Sequence, residues 1–245
     1  MTIRCEVWWA RPAVETPRLI ALLDDIERDR HDAYRQTVDR ARFLTGRVVA
    51  KAALGTALGI DPAAVSLDST CPDCGRTHGK PRVVPPAGHP GSLPEMSISH
   101  SGNLVGVAIT AGLPVGIDVE QERDVEVDGL VRMTLSAAEL ATWAAVPAPD
   151  RDAAFFTYWS RKEAILKATG RGLAIGMTKI TVTPWDQPPR VTDSQASEVD
   201  TTRMRMTQLD AGSGYRACVA VIADVGPEDL VVTVHDADPI VANLS

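Results

Sequence analysis

"VGIDVE" (115–120) is the stretch on which the reading of this chain turns. It closes an uncharged run, Asn103 to Ile117, and then places Asp118 and Glu120 two residues apart. In a strand, residues i and i+2 leave the same face about 6.5–7 Å apart. Val115, Ile117 and Val119 are therefore expected toward the core, with Gly116, Asp118 and Glu120 on the other side. Like charges that close raise each other's pKa unless something positive lies beside them. Two readings are open, a solvated strand face or a hard-cation site, because all-oxygen ligands suit Mg²⁺ or Mn²⁺.

Upstream, "SGNLVGVAITAGLPVGIDVE" (101–120) reads as two strands joined by a Gly/Pro turn, a central hairpin. In "SISHSG" (97–102), just before it, Ser99 and His100 at a strand edge can hydrogen-bond a phosphate; the plainer reading is a histidine satisfied in a loop. Downstream, Ser136 three residues before Glu139 is a capping box that starts a helix in "TLSAAELATWAAV" (134–146). Phe155 to Thr169 contains no Gly or Pro and repeats its apolar residues at helical spacing, with Gly170 as the stop. Trp159, Glu163 and Lys167 form one stripe on that helix, either an ordinary surface pair or a partly buried charged group with a task.

The remaining segments frame these. "IRCEVWWA" (3–10) has a strand period, about Pro17 to Ala57 reads as helix in two or three pieces, and 84–95 and 184–200 read as loops. "RMRMTQL", "YRACVAVIA" and "LVVTVHD" return to strands. Sliding the chain by 115 residues aligns Phe43 with Tyr158, Arg47 with Lys162 and Gly55 with Gly170, which raises an internal duplication.

At 245 residues, 44% hydrophobic and 23% charged, the chain belongs to the globular class. A net charge of -7 gives no general pull toward nucleic acid or anionic lipid, so any anion site is local. Charged residues in the first twenty positions leave no signal-peptide core, and four scattered cysteines suggest reduced thiols; a cytoplasmic protein is expected. Arg28 to Lys51 carries seven Lys/Arg against Asp29, Asp32 and Asp39, either a solvated helix face or a phosphate-binding surface. Lys80 in "HGKP" is a further candidate, aimed by Gly79 and Pro81. Cys71, Cys74 and His78 have zinc-like spacing, but Cys5 and Cys218 supply no second pair, and a plain Pro/Gly turn is the preferred reading.

In order and spacing, "HGKP" (78–81), "SISHS" (97–101), "GIDVE" (116–120) and "WSRKEAILKATGRGL" (159–173) closely resemble the Sfp-type 4'-phosphopantetheinyl transferases; "DRARFLTGR" (39–47) fits more loosely. The resemblance implies an α+β fold of two pseudo-symmetric α/β halves, each a small mostly antiparallel sheet packed with helices, with the active site between them. The halves would be 1–113, with the nucleotide and phosphate contacts, and 114–245, with the metal site and catalytic helix. It implies Mg²⁺-dependent transfer of the phosphopantetheine arm of coenzyme A to a serine of an acyl or peptidyl carrier protein, releasing 3',5'-ADP. Carried over by position, Asp118, Glu120 and Glu163 match the acidic metal set, with Glu163 also the general base and Lys167 neutralising the leaving phosphate. Lys80, Ser99 and His100 match nucleotide-binding positions, and Arg28, Arg30, Arg42 or Arg47 would contact the 3'-phosphate. Phe43 and Arg47 stand where other members carry a hydroxyl or acidic residue, which leaves the 3'-phosphate ligands open. The expected partners are coenzyme A and carrier domains, with no nucleic acid and no membrane, and a monomer. The alternatives are a non-catalytic coenzyme A- or nucleotide-binding regulator of the same fold and a Mg²⁺-dependent phosphohydrolase.

Overall fold

The computed structural model describes residues 2–89, 91–123, 127–224, 226 and 229–245. Their contacts divide into two compact units, one of Arg4–Gly112 with Val232–Ser245 and one built on Leu113–Val231.

In the first unit, β1 (Ile3–Ala10) leads into three helical pieces, α1 (Pro17–Ile20), α2 (Asp25–Asp32) and α3 (Thr37–Leu58). A two-residue ribbon, β2 (Leu67–Asp68) with β3 (Arg82–Val83), follows, then β4 (Glu95–Ser101) and β5 (Leu104–Thr110), which pair antiparallel around Gly102. The α3 sequence is rich in Ala, Val and Leu, and it buries Leu44, Val48 and Leu54 in one cluster with Met96, Val107 and Ile109 of the sheet. Each such fully buried side chain is worth roughly 1.5–3 kcal/mol. Gly59, at φ 69, ends α3 in the left-handed conformation that glycine adopts without steric cost. Gly55, which the 115-residue slide set against Gly170, lies inside this helix instead.

In the second unit, β6 (Val115–Gln121) is followed by α4 (Val127–Thr134), α5 (Ala137–Trp143) and α6 (Arg151–Thr169). Then come a ribbon of β7 (Ile180–Val182) and β8 (Val191–Ser194), and the antiparallel pair β9 (Met204–Leu209) and β10 (Tyr215–Ile222). The α5 capping box is present as predicted, and α6 stops at Gly170, φ 72. Phe155, Ile165 and Leu166 of α6 form the core with Cys218 and Ala220 of β10. Arg161 is buried at 1% exposure and donates to the carbonyls of Thr183, Pro184, Trp185 and Gln187, so one guanidinium organises a Pro-rich turn.

Three expectations change. β5 and β6 are not a hairpin, because β5 pairs with β1 and β4 whereas β6 pairs with β10. The turn residues between them carry the chain from one sheet to another. The stretch 184–200 contains β8 and is not wholly loop. The tail, read with 114–245, contributes β11 (Leu230–Asp236) and α7 (Asp238–Leu244), and β11 extends the first unit's sheet in the order β11-β1-β5-β4. The second unit's main sheet has the order β6-β10-β9. The protein is therefore a mixed α+β fold of small antiparallel sheets with helices packed on them. No helix among the described residues is long and apolar enough to cross a membrane.

Candidate active site

Gly116 sets the geometry around the two acids. A Cβ built on it would lie 2.0 Å from the Ala164 carbonyl oxygen and 2.4 Å from the Ala168 nitrogen, so β6 rests directly on the backbone of α6 at this point. Only a residue without a side chain permits that approach. Two positions along the same strand face, Asp118 meets the same turn of the helix through Lys167. It is 3% exposed, and its Oδ1 accepts a 2.6 Å hydrogen bond from Lys167 Nζ.

The acid-bearing face therefore packs against α6; it is not a solvated face. In register, Gly116, Asp118 and Glu120 oppose Ala220, Cys218 and Arg216 of β10. Val115, Ile117 and Val119 are fully buried on the other face, so the strand is covered on both sides.

On α6 almost every residue from Ala154 to Ala168 is buried, and Trp159, Glu163 and Lys167 are the half-exposed exceptions. The stripe read from the sequence is thus the one through which the helix reaches out of its core. Burial raises the Glu163 carboxyl above its ordinary range; Lys167 pulls it down and Asp118 pushes it up. This places the three groups within electrostatic reach of one another. Glu120 lies one strand repeat beyond Asp118 on the same face, half-buried. Cys218, beside Asp118, is pushed by burial to about 12 and stays a neutral thiol.

Beneath this group lies a pair that sequence reasoning missed as functional support. Lys162, fully buried, donates to Glu139 Oε2 at 2.5 Å, to the Thr134 carbonyl at 2.8 Å and to the Met177 carbonyl. Glu139 also caps α5 through the Ser136 N–H at 2.7 Å and accepts from the Val182 N–H at 2.8 Å. Burial lowers the Lys162 pKa, partly offset by Glu139. The pair ties α5, α6 and β7 together and holds α6 one residue from Glu163. The visible signal was the capping-box glutamate followed by a helix whose Lys162 stands among closely spaced apolar residues.

In the first unit the candidate cations separate. Arg28 donates to the Leu23 carbonyl at 2.8 Å and lies near Asp25, and Arg42 donates to the Gly102 carbonyl at 2.6 Å and to Asp39. Both are committed to holding loops. Arg30 and Arg47 instead converge over the ring of Phe43, at 5.5 and 5.2 Å from its centroid, beside a small cleft lined also by Ser69 and Thr70. Arg47 is 4% exposed, so this is no solvated helix face; burial lowers its pKa, with Glu27 offsetting this and Arg30 adding to it. Lys51, counted in the basic run but not singled out, is 2% exposed and lies 2.8 Å from Glu27. Lys80 Nζ lies 3.3 Å from Glu95, and burial lowers its pKa. Ser99 is buried and His100 exposed on β4, an edge strand, and as neighbours they leave opposite faces.

The sequence profile of the 4'-phosphopantetheinyl transferase superfamily matches residues 114–220. A 4'-phosphopantetheinyl transferase of Nostoc sp., HetI, is 31% identical over 71% of this chain and 71% of its own. A phosphopantetheinyl transferase of Thraustochytrium sp. is 34% identical over 71% of this chain and 62% of its own. The Bacillus subtilis 4'-phosphopantetheinyl transferase Sfp is 22% identical over 91% of this chain and 92% of its own. By the extent of these matches, and with β6 and α6 inside the matched region, the chain belongs to the 4'-phosphopantetheinyl transferase superfamily.

Proposed function

We propose that the protein transfers the 4'-phosphopantetheine group of coenzyme A to a serine hydroxyl of an acyl or peptidyl carrier protein. The observation that carries this reading is the seating of β6 on α6 at Gly116, which brings Asp118, Glu163 and Lys167 together. The serine oxygen attacks the phosphorus bearing the pantetheine arm, the bond from that phosphorus to the bridging oxygen breaks, and 3',5'-ADP leaves with the bridging oxygen. The serine proton goes to a base. Glu163 suits that role because its burial raises its pKa toward the working pH, where a carboxylate is a better base. Lys167, already paired with a carboxylate, has the charge to take the leaving phosphate.

The donors also fit a hard cation: oxygen atoms only, from a buried strand carboxylate and a helix carboxylate facing it. Asp118, Glu120 and Glu163 would hold Mg²⁺, or Mn²⁺. When bound, the ion supplies positive charge to the diphosphate. Lys80, Ser99 and His100 would bind the nucleotide and its phosphates, and of the early arginines Arg30 and Arg47 are the better 3'-phosphate ligands, since Arg28 and Arg42 are held by backbone carbonyls. In this reading the first unit supplies the nucleotide contacts and the second the metal and base, and the protein acts as a cytoplasmic monomer without nucleic acid or membrane.

We further read the two units as copies of one ancestral half. Each has a strand, a short helix with a capping box, a long helix closed by a left-handed glycine, a two-stranded ribbon and a hairpin. The capping glycines Gly59 and Gly170 make the offset 111 residues, not 115.

Intact-mass analysis of candidate carriers after incubation with the protein, coenzyme A and Mg²⁺ tests the activity. The expected result is one phosphopantetheine per carrier, lost in Asp118→Ala and Glu163→Ala. Removing a general base lowers rates about 10²–10⁴-fold. Undiminished labelling by either variant rejects the assigned roles, and free phosphopantetheine without carrier identifies a hydrolase instead.

A further inference from the structure

Of "CPDCGRTHGKP" (71–81), the transferase reading uses Lys80 and leaves Cys71, Cys74 and His78 without a part. The segment forms the loop between β2 and β3, and its backbone folds back on itself. The Cys71 N–H donates to the Arg76 carbonyl at 2.8 Å, Gly75 N–H to the Cys71 carbonyl at 2.9 Å, and Gly79 N–H to the Ser69 carbonyl at 2.7 Å. Gly75 takes φ 72, and a Cβ on Gly79 would lie 2.8 Å from the Thr70 carbonyl oxygen. Both glycines are therefore needed for the fold of the loop.

This turn gathers three ligand-type side chains. The sulfurs of Cys71 and Cys74 and a ring nitrogen of His78 all lie within 4.8 Å of one another, and Cys74 Sγ is 2.9 Å from His78 Nε2. The backbone N–H of Arg76 also points at the Cys74 sulfur. Both cysteines are free thiols, with Cys74 and His78 exposed at the surface.

We propose that Cys71, Cys74 and His78 bind one Zn²⁺, with water or another small ligand from outside the chain in the fourth position. Tetrahedral zinc, with bonds of about 2.3 Å to sulfur and about 2.0 Å to nitrogen, sets its donors roughly 3.3–3.8 Å apart. The loop meets that spacing with shifts of about 1 Å or less. Two thiolates and an imidazole select zinc over the hard cation proposed for the carboxylates. Cys5 and Cys218 lie buried on β1 and β10 and take no part. Zinc would clamp a segment whose residues 72–78 are all exposed. The clamped segment carries the Thr77 carbonyl, which accepts from Arg30 Nη1 at 3.1 Å, and leads directly into Lys80. The site stands whether or not the transferase reading holds.

The test uses the full chain, reduced, stripped with chelator and titrated with Zn²⁺ and, in parallel, with Co²⁺. The expected result is one zinc per chain and a near-ultraviolet thiolate-to-cobalt band. Cys74→Ser and His78→Ala should each weaken binding by roughly tenfold or more, and Asp118→Ala should leave it unchanged. Zinc should also raise the melting temperature of the wild type and not that of Cys74→Ser. Absence of the cobalt band while Cys71 and Cys74 titrate as free thiols, or equal zinc binding in Cys74→Ser, overturns the proposal. Zinc binding that disappears in Asp118→Ala overturns it as well.

Discussion

The strands that open the two units are used differently: β6 lies along α6, whereas α3 rests chiefly on β5 and β4, with β1 paired beside β5. In β1 the residues on the helix side are Glu6, Trp8 and Ala10, in register with Ile109, Val107 and Val105. The free edge of β1 is taken by β11, and Trp8 stacks on His235 of that strand at 4.1 Å. In β6 the corresponding positions are Gly116, Asp118 and Glu120, and β6 is an edge within its own sheet. Covering an edge with a paired strand and an aromatic stack serves stability. Laying the carboxylates of β6 under a lysine of α6 serves chemistry.

A second comparison concerns the charges buried beneath the helices. In each unit a capping-box glutamate at the third position of a short helix is buried and meets a lysine of the long helix: Glu27 with Lys51, and Glu139 with Lys162. Each lysine also donates to the carbonyl two residues before the cap, Leu22 or Thr134. The difference is that Glu27 has a second cation, Arg47 at 3.6 Å, whereas the Glu139 side chain otherwise accepts from backbone N–H groups.

Replacing Gly116 by Ala tests the first contrast hardest. No rotamer removes a Cβ that meets backbone at 2.0 Å, so β6 must shift off α6 and carry Asp118 with it. Carrier labelling should fall by about 10²-fold or more, because a displacement near 1 Å at a catalytic group has that effect. Stability should fall by about 1–3 kcal/mol or more. Gly129→Ala, on α4 with nothing within 4 Å, should leave labelling unchanged and raise stability by up to about 1 kcal/mol, as alanine replaces a helical glycine. Wild-type labelling by Gly116→Ala would remove the basis of the contrast.

The next effect should be the loss of one partner of a buried pair. Lys162→Met strands Glu139 without a cation and should cost about 3–5 kcal/mol in denaturant unfolding. Lys51→Met leaves Glu27 with Arg47 and should cost visibly less. Equal costs would mean that the second cation does not compensate.

The smallest effect is one of pH. Burial raises the Glu163 carboxyl in the folded chain, so its ionisation opposes folding. Below the ordinary carboxyl value of 4.5 the group is protonated in both states and the penalty is absent. It grows as pH rises and is complete above the raised folded-state value. Without added metal, Glu163→Gln should therefore melt above the wild type at pH 7, and the gap should close as pH falls through the ordinary carboxyl range. A gap that widens on acidification would reverse the assigned sign.

The local devices were readable in the chain itself. The α5 capping box, the α6 run ending at Gly170 and the alternation of the strands depend on neighbours a few residues apart. Pairing was not readable. The turn between β5 and β6 looks like a hairpin turn, yet its strands find partners in different sheets. Burial of charge was equally hidden: Arg47, Lys51, Arg161 and Lys162 are of types normally found at the surface, and only the arrangement of carbonyls and carboxylates around them makes their burial tolerable.

For the site, the sequence alone determined that Asp118 and Glu120 share a strand face and that Trp159, Glu163 and Lys167 share a helix stripe, since both follow from the repeat of a single element. Only the tertiary structure decided that this face meets that stripe. The decision is made at Gly116, where a missing side chain lets strand and helix backbones touch, and a contact between residues some fifty positions apart depends on packing that no local period encodes.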